Sequence, residues 1–464
     1  MFDSSSTDNN FLALSYIGTG KNYRDAPDYV HVAFDTLSAP PSIIYTLHLP
    51  NARLSVPALV AYSLPTETPV QPLPDPFSYF SKEEPHAING TTTSLLRSLP
   101  IPPQIVLDKI IRQSGQAWLD GFKSIIYFHT GHNHRFPFWV LRYWKQIAGI
   151  LPAKQAWTLA DRYLAILQKK SSEHIRRAAD DFRALLHALP WDGKICGFSD
   201  EDPVHRLAAF ASQDWLADIH ETFMLEELQR QISAIPEFGT KQVVVNIWIS
   251  HKIRIAYEQR DNNEYPPPHR TELSELGADL ASGAKSRLGL LWFIKGNHWC
   301  SMDIIADGAR QVVLYGDPEG DEAPDWLREG TIWWLSKHIE GLFEWGVLPC
   351  PSQQDGFSCG ILAQNGLAHG FIPAKYPLIN ASSGQDVAIA RLQAGANVIR
   401  HHIQMVRDII LYYIIYFTHF LWIFSYLLYP SAMSLRYPPH HQHLLAVSFI
   451  LPRMTLLHHW PVCL

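Results

Sequence analysis

An α+β fold is predicted, and three observations predict it. Apolar runs of strand length occur at Leu288 to Ile294, His298 to Ala306 and Gln311 to Asp317. The last two are separated by Asp307-Gly308, the strongest short-range signal for a two-residue hairpin turn. Stretches with apolar residues three and four apart lie on both sides of these runs, as helices would. Helices and strands grouped in this way, rather than strictly alternating, define the α+β class.

The chain has 464 residues, more than one typical domain, and is 47% hydrophobic, ample for a core. Its net charge is −6, so no global basic excess points to nucleic acid as a partner. Five cysteines (Cys196, Cys300, Cys350, Cys359 and Cys463) with no CxxC argue against a disulfide framework or a zinc cluster and for a reducing compartment. Met1 to Asn10 is polar and acidic, without the basic start and apolar run of a signal peptide.

Residues 1–100 are rich in Pro, Ser and Thr and are expected to be irregular or poorly ordered. Residues 101–190 read as a mainly helical region, with Ala156 to Gln168 and Ser172 to Leu189 amphipathic and Phe136 to Ile150 aromatic and buried. His129, His132 and His134 fall in a loop-like stretch without a nearby Cys or carboxylate pair, so a loop is expected there rather than a metal site. Pro190-Trp191-Asp192-Gly193 marks a boundary, and a domain is expected over 191–393. Within it, Trp215 to Leu225 opens a helix, Gln242 to Ile249 is strand or buried helix, Asp261 to His269 is a loop and Trp326 to Trp345 is helical. Residues 394–464 form an apolar tail, in which the 21 residues Ile409 to Tyr429 carry no charge and match a membrane span in length. This tail reads either as a membrane anchor or as a segment foreign to the domain, such as a translated intron or a frameshift.

Chemistry enters at Gln353 to Gly360. A Gly-containing turn delivers Cys359 to the start of an apolar helix, where the backbone dipole favours a thiolate nucleophile. A lone cysteine is more often packing, so partners are needed. With a two-residue turn at Asp307-Gly308, Ala306 pairs with Ala309 and His298 falls opposite Asp317. A carboxylate there orients an imidazole as a base for the thiol. The Gln353 amide, six residues before Cys359, can donate to an oxyanion together with the Cys359 N–H, with Gln354 as its competitor. Cys300 is expected on the strand face opposite His298, and Cys300 and Cys350 are expected to be core thiols.

These residues resemble the ubiquitin-like-protein-specific cysteine proteases, the SUMO-protease family related to the adenovirus protease. The resemblance rests on His298-Trp299, Asp317, the Gln-x-x-Gly-x-x-Cys-Gly motif from Gln353 to Gly360, and Trp215-Leu216-x-Asp218. It spans roughly Trp191 to Gly370, and the chain order His, Asp, Gln, Cys excludes papain and ubiquitin C-terminal hydrolase orders. It implies a papain-like fold of the SUMO-protease type, with His298 as base, Asp317 as orienting acid, Cys359 as nucleophile and Gln353 as oxyanion donor. Trp215 and Trp299 would form a tunnel that admits a Gly-Gly tail. No metal or cofactor is implied, and the partner would be a ubiquitin-like modifier with its conjugates. The compartment would be nuclear or cytoplasmic, or a membrane surface if 409–429 anchors the chain. The sequence departs from the family pattern at three places that bear on modifier preference, with Ser358 for its Asp, Asp355 for its Asn and Ala217 for the Asn of Trp-Leu-Asn-Asp, and it looks most like divergent fungal members. An acyltransferase using the same triad and a catalytically silent modifier-binding module are the alternative readings.

Overall fold

The structure is a computed structural model that describes residues 12–428 except 38–42, 44–46, 69–74, 88–89, 130–131, 171, 261–269 and 309. It divides into two compact units, Met1–Thr158 and Leu159–Leu464.

The first unit corrects the expectation of an irregular start. Helices α1 (Asp28–Asp35), α2 (Val56–Ala61) and α3 (Gly90–Ser98) form within residues 1–100. Val30, Leu59, Phe80 and Leu96 from this region are buried. They join α4 (Gln104–Leu119) and the start of α5 (Trp139–Leu167), where Phe138, Trp139, Tyr143 and Trp144 are buried as expected. A three-stranded antiparallel sheet, β1 (Phe80–Ser81), β2 (Ser124–His129) and β3 (His132–Phe136), completes the unit. The histidine stretch expected to be a loop is therefore largely a hairpin, with Thr130 and Gly131 outside the described residues.

The second unit is built on a five-stranded sheet in the order β4 (Gln242–Val244), β5 (Arg287–Ile294), β6 (His298–Ala306), β7 (Gln311–Gly316) and β8 (Glu344–Val347). The β5–β6–β7 ladders are antiparallel, and β4 and β8 pair in parallel at the edges. Alternation along β6 sorts the side chains between two cores. Cys300, Met302 and Ile304 pack with Leu290, Trp292 and Trp334. Trp299 packs on the other side with Leu291, Leu225, Leu228 and Ala363. Helices α6 (Glu173–Ala188), α7 (Asp218–Ser233), α8 (Ile247–Glu258), α9 (Arg270–Ala281), α10 (Asp325–Ser336), α11 (Cys359–Phe371) and α12 (Gly384–Leu428) cover this sheet and each other. Residues 242–258 supply both a strand and a helix. The stretch expected to be helical through Trp345 ends at Ser336 and finishes in β8. The loop expected at 261–269 lies outside the described residues.

One register differs from expectation. Ala306 pairs with Gln311, so the hairpin loop has four residues, 307–310, rather than two. Asp307 explains the extra length. Its backbone N–H donates to Arg310 O at 3.2 Å, and its Oδ1 accepts from Arg310 N at 2.7 Å. The shift is two residues, so every side chain keeps its face. One step past the last pair, Ser301 with Gly316, Cys300 rather than His298 stands level with Asp317.

The expected domain end at 393 falls inside α12, whose Leu392, Ala396, Val398 and Ile399 are buried. From Ile410 to Phe417 the apolar side chains of α12 are exposed. Among the described residues no helix is long and apolar enough to cross a membrane. Of the run 409–429, Tyr429 lies outside the described residues.

Candidate active site

Cys359 is the first residue of α11 and is 5% exposed. The helical ladder begins with Leu362 N donating to Ser358 O at 3.1 Å, so the N–H groups of Cys359, Gly360 and Ile361 have no partner within the helix. The turn before it is organised by Asp355. Its Oδ1 accepts from Phe357 N at 3.0 Å and Ser358 N at 2.9 Å, and its Oδ2 accepts from Ser358 Oγ at 2.7 Å. Asp355 and Ser358 are thus bonded to each other. The indole N–H of Trp215 donates to Gly356 O and ties this turn to the chain entering α7.

A cavity of about 180 Å³ opens on Cys359, lined by Trp215, Phe293, Asn297 and Trp299 among others. Trp299 is buried, whereas Trp215 is 52% exposed. Phe293 packs on Trp299 with ring centroids 4.8 Å apart. Both predicted tryptophans therefore stand at the cysteine.

His298 and Asp317 meet despite the shifted register, with His298 Nε2 2.7 Å from Asp317 Oδ1. Asp317 Oδ1 also accepts from Glu319 N at 2.7 Å, and its Oδ2 accepts from Tyr315 Oη at 3.1 Å and Cys300 Sγ at 3.2 Å. Cys300 is thus on the same face as His298, not the opposite one, because residues two apart on a strand share a face. Burial opposes the charged form of His298, but hydrogen bonding to Asp317, Cys300 and Cys359 outweighs it and pushes the imidazole up to about 12. Burial likewise opposes ionisation of Asp317, and its bonds to His298, Glu319 N and Cys300 still hold its carboxyl below the usual range. Burial pushes the Cys300 thiol up to about 11.

Gln353 is placed differently from expectation. Its Nε2 donates to Asp355 O at 2.6 Å, and its backbone N–H donates to Pro318 O at 2.6 Å. The amide is engaged with the turn rather than directed at the cavity, and Gln354 donates to Ser352 O at 3.3 Å.

Two acids were not singled out in the sequence. Glu319 Oε1 lies 3.7 Å from His298 Nδ1, and its Oε2 accepts from Lys295 Nζ at 2.9 Å. Glu221, on α7, is fully buried, and neither carboxyl oxygen has a hydrogen-bond partner. It presses on Gly360, where a Cβ would stand 2.0 Å from Glu221 Oε1. Burial, then the charge of Cys359, pushes the Glu221 carboxyl well above its usual range.

No family model matches the chain, and no curated protein matches it. Solved structures do. The chain is similar to the C-terminal Ulp1 protease domain in complex with Smt3, the yeast ortholog of SUMO, with 17% identity and TM-score 0.37, covering 51% of this chain and 99% of that one. It is similar to a de-sumoylating protease with 16% identity and TM-score 0.33, covering 47% of this chain and 93% of that one. It is also similar to the Xanthomonas campestris effector XopD bound to ubiquitin, with 16% identity and TM-score 0.28, covering 39% of this chain and 91% of that one.

Proposed function

We propose that this protein is a cysteine peptidase that cleaves after the Gly-Gly tail of a ubiquitin-like modifier. The observation that carries the reading is one arrangement. His298 is held by Asp317 at 2.7 Å, while Cys359 heads α11 at the floor of a cavity walled by Trp215 and Trp299. Two flat indoles enclose an extended chain without side chains, so glycine is the residue that passes between them. The chain order of these residues is that of the family resemblance.

Cys359 gives its proton to His298, whose charged form hydrogen bonding favours against the opposing burial, and its Sγ then attacks the carbonyl carbon of the terminal glycine. The negative oxygen of the tetrahedral intermediate forms beside the free N–H groups at the start of α11. The intermediate collapses to a thioester, and the departing amine takes the proton from His298. Water, deprotonated by His298, then attacks the thioester, and the thiol and the modifier's carboxylate are released. Asp317 fixes the ring and stabilises its charged form throughout. In this reading Gln353 shapes the turn through Asp355, and its amide reaches the oxyanion only after rotating away from Asp355 O.

The test is intact-mass analysis after incubation with SUMO-type, Nedd-type and ubiquitin probes that carry a C-terminal electrophile. A stoichiometric adduct with at least one probe, absent in Cys359→Ala, is expected. No adduct, or one that survives Cys359→Ala, overturns the reading. Tight non-covalent binding without an adduct would mark a modifier-binding module instead.

A further inference from the structure

The triad chemistry gives Cys300 no task, yet its thiol is aimed at the triad. Its Sγ donates to Asp317 Oδ2 at 3.2 Å, and the side chain is fully buried. His298 bonds the other oxygen of the same carboxylate at 2.7 Å. An imidazole nitrogen, a thiol sulfur and a carboxylate oxygen therefore all lie within 4.8 Å of one another. The set mixes N, S and O donors, which suits a borderline-soft divalent cation such as zinc and not magnesium or calcium.

We propose that His298, Cys300 and Asp317 form a zinc-binding site that switches the enzyme off. The geometry is close to what the ion needs. With bonds of about 2.0–2.3 Å, ligand atoms of a tetrahedral zinc site stand roughly 3.3–3.8 Å apart, so the hydrogen-bond distances of 2.7 and 3.2 Å widen by up to about 1.1 Å and the remaining pair, now within 4.8 Å, closes by no more than about 1.5 Å. Asn297 and Trp299, on either side of His298 in the chain, line the cavity at Cys359. Charge balances. The ion enters as two protons leave, one from the Cys300 thiol and one from the imidazole, while Asp317 is already a carboxylate. Three protein ligands leave a fourth position for water. An imidazole bound to the ion can no longer take the Cys359 proton. The binding rests on the ligand geometry alone; only the inhibition rests on the proposed peptidase function.

Any cysteine peptidase can bind zinc between its nucleophile and its histidine, so the test removes the nucleophile first. The full chain carrying Cys359→Ser is titrated with cobalt(II), and thiolate-to-cobalt charge-transfer absorption is recorded. One equivalent is expected to bind with this absorption. Losing even a group that only orients a ligand costs roughly 10–100-fold in metal affinity, so adding Cys300→Ala is expected to cost at least about 100-fold and to abolish the band. Cys300→Ser, which keeps the size and the bond to Asp317, is expected to lose the band too, and matched thermal unfolding shows that the variants are folded. No thiolate band in the Cys359→Ser protein, or one that persists after either change at Cys300, overturns the site. In the otherwise native chain, Cys300→Ala is expected to reduce inhibition by zinc at least about tenfold. Cobalt binding in a chain without peptidase activity would sink the proposed function and leave the site standing.

Discussion

Asp317 and Glu221 are two buried carboxyls on either side of Cys359 and His298, and their surroundings are opposite. Asp317 accepts hydrogen bonds from His298, Cys300, Tyr315 and the Glu319 backbone, and its carboxyl is held below the usual range. Glu221 accepts none, and its carboxyl is pushed well above that range. Both are removed from water, so burial does not decide the charge. Donors decide it, since a carboxylate without them keeps its proton. The one site thus holds a negative charge where the imidazolium needs it. Glu221, packed from α7 against the start of α11, stays neutral and adds no charge beside Cys359.

The largest effect is expected from Asp317→Ala. It strands the His298 imidazole and leaves Cys300 and Tyr315 without their acceptor. A loss in kcat/KM of roughly 1,000-fold or more is expected, by analogy with other triads. Breaking a buried pair also costs about 3–5 kcal/mol, read as a lower urea midpoint. A variant that keeps near-native turnover would show that the carboxylate does not orient the base.

Glu221→Gln sharpens the other side. A group whose folded pKa is raised stabilises the fold below its unfolded value, and that contribution is lost as pH rises above it. For Glu221 the loss begins near 4.5 and continues up to its raised folded value. Unfolding free energies of the wild type are expected to fall by up to about 1.4 kcal/mol per pH unit in that window, and those of Glu221→Gln to lack this component. Identical slopes for the two proteins from about pH 5 to about pH 8 would contradict a protonated Glu221.

Gly360→Ala tests the contact itself, because its Cβ would stand 2.0 Å from Glu221 Oε1. A cost of about 1–3 kcal/mol is expected, since the fully buried carboxyl has nowhere to withdraw. Glu221→Ala in the same chain is expected to restore most of it, and a strictly additive double-mutant cycle would count against the contact. The smallest effect belongs to Ser358→Ala. Asp355 keeps its two backbone bonds, so the loss is about 1 kcal/mol, with kcat/KM lowered a few-fold.

The triad was legible in the chain because it depends on parity and order. His298 and Asp317 were placed together through a two-residue turn that the structure does not have. The contact survives because a shift of two leaves both on one face. Parity also gave the available signal for Cys300, two residues after His298, although it was assigned to the other face. Residues 1–100 were read as irregular because prolines interrupt every periodic run, yet Val30, Leu59, Phe80 and Leu96 are buried. The hydrogen bonds of Gln353 were not legible, since they depend on how Asp355 folds its own turn. Glu221 was invisible for a related reason. Its isolation arises only where α7 meets α11, and no local pattern records that meeting.

The central claim is that Cys359 cleaves after Gly-Gly with His298 as its base. Release of a fluorogenic amine from the C-terminus of a ubiquitin-like modifier tests it most directly. Wild-type protein is expected to turn over the Gly-Gly form of at least one modifier, to fail when the penultimate glycine is alanine, and to lose all release in Cys359→Ala. Release that is equal in Cys359→Ala, or indifferent to the alanine, would contradict the account.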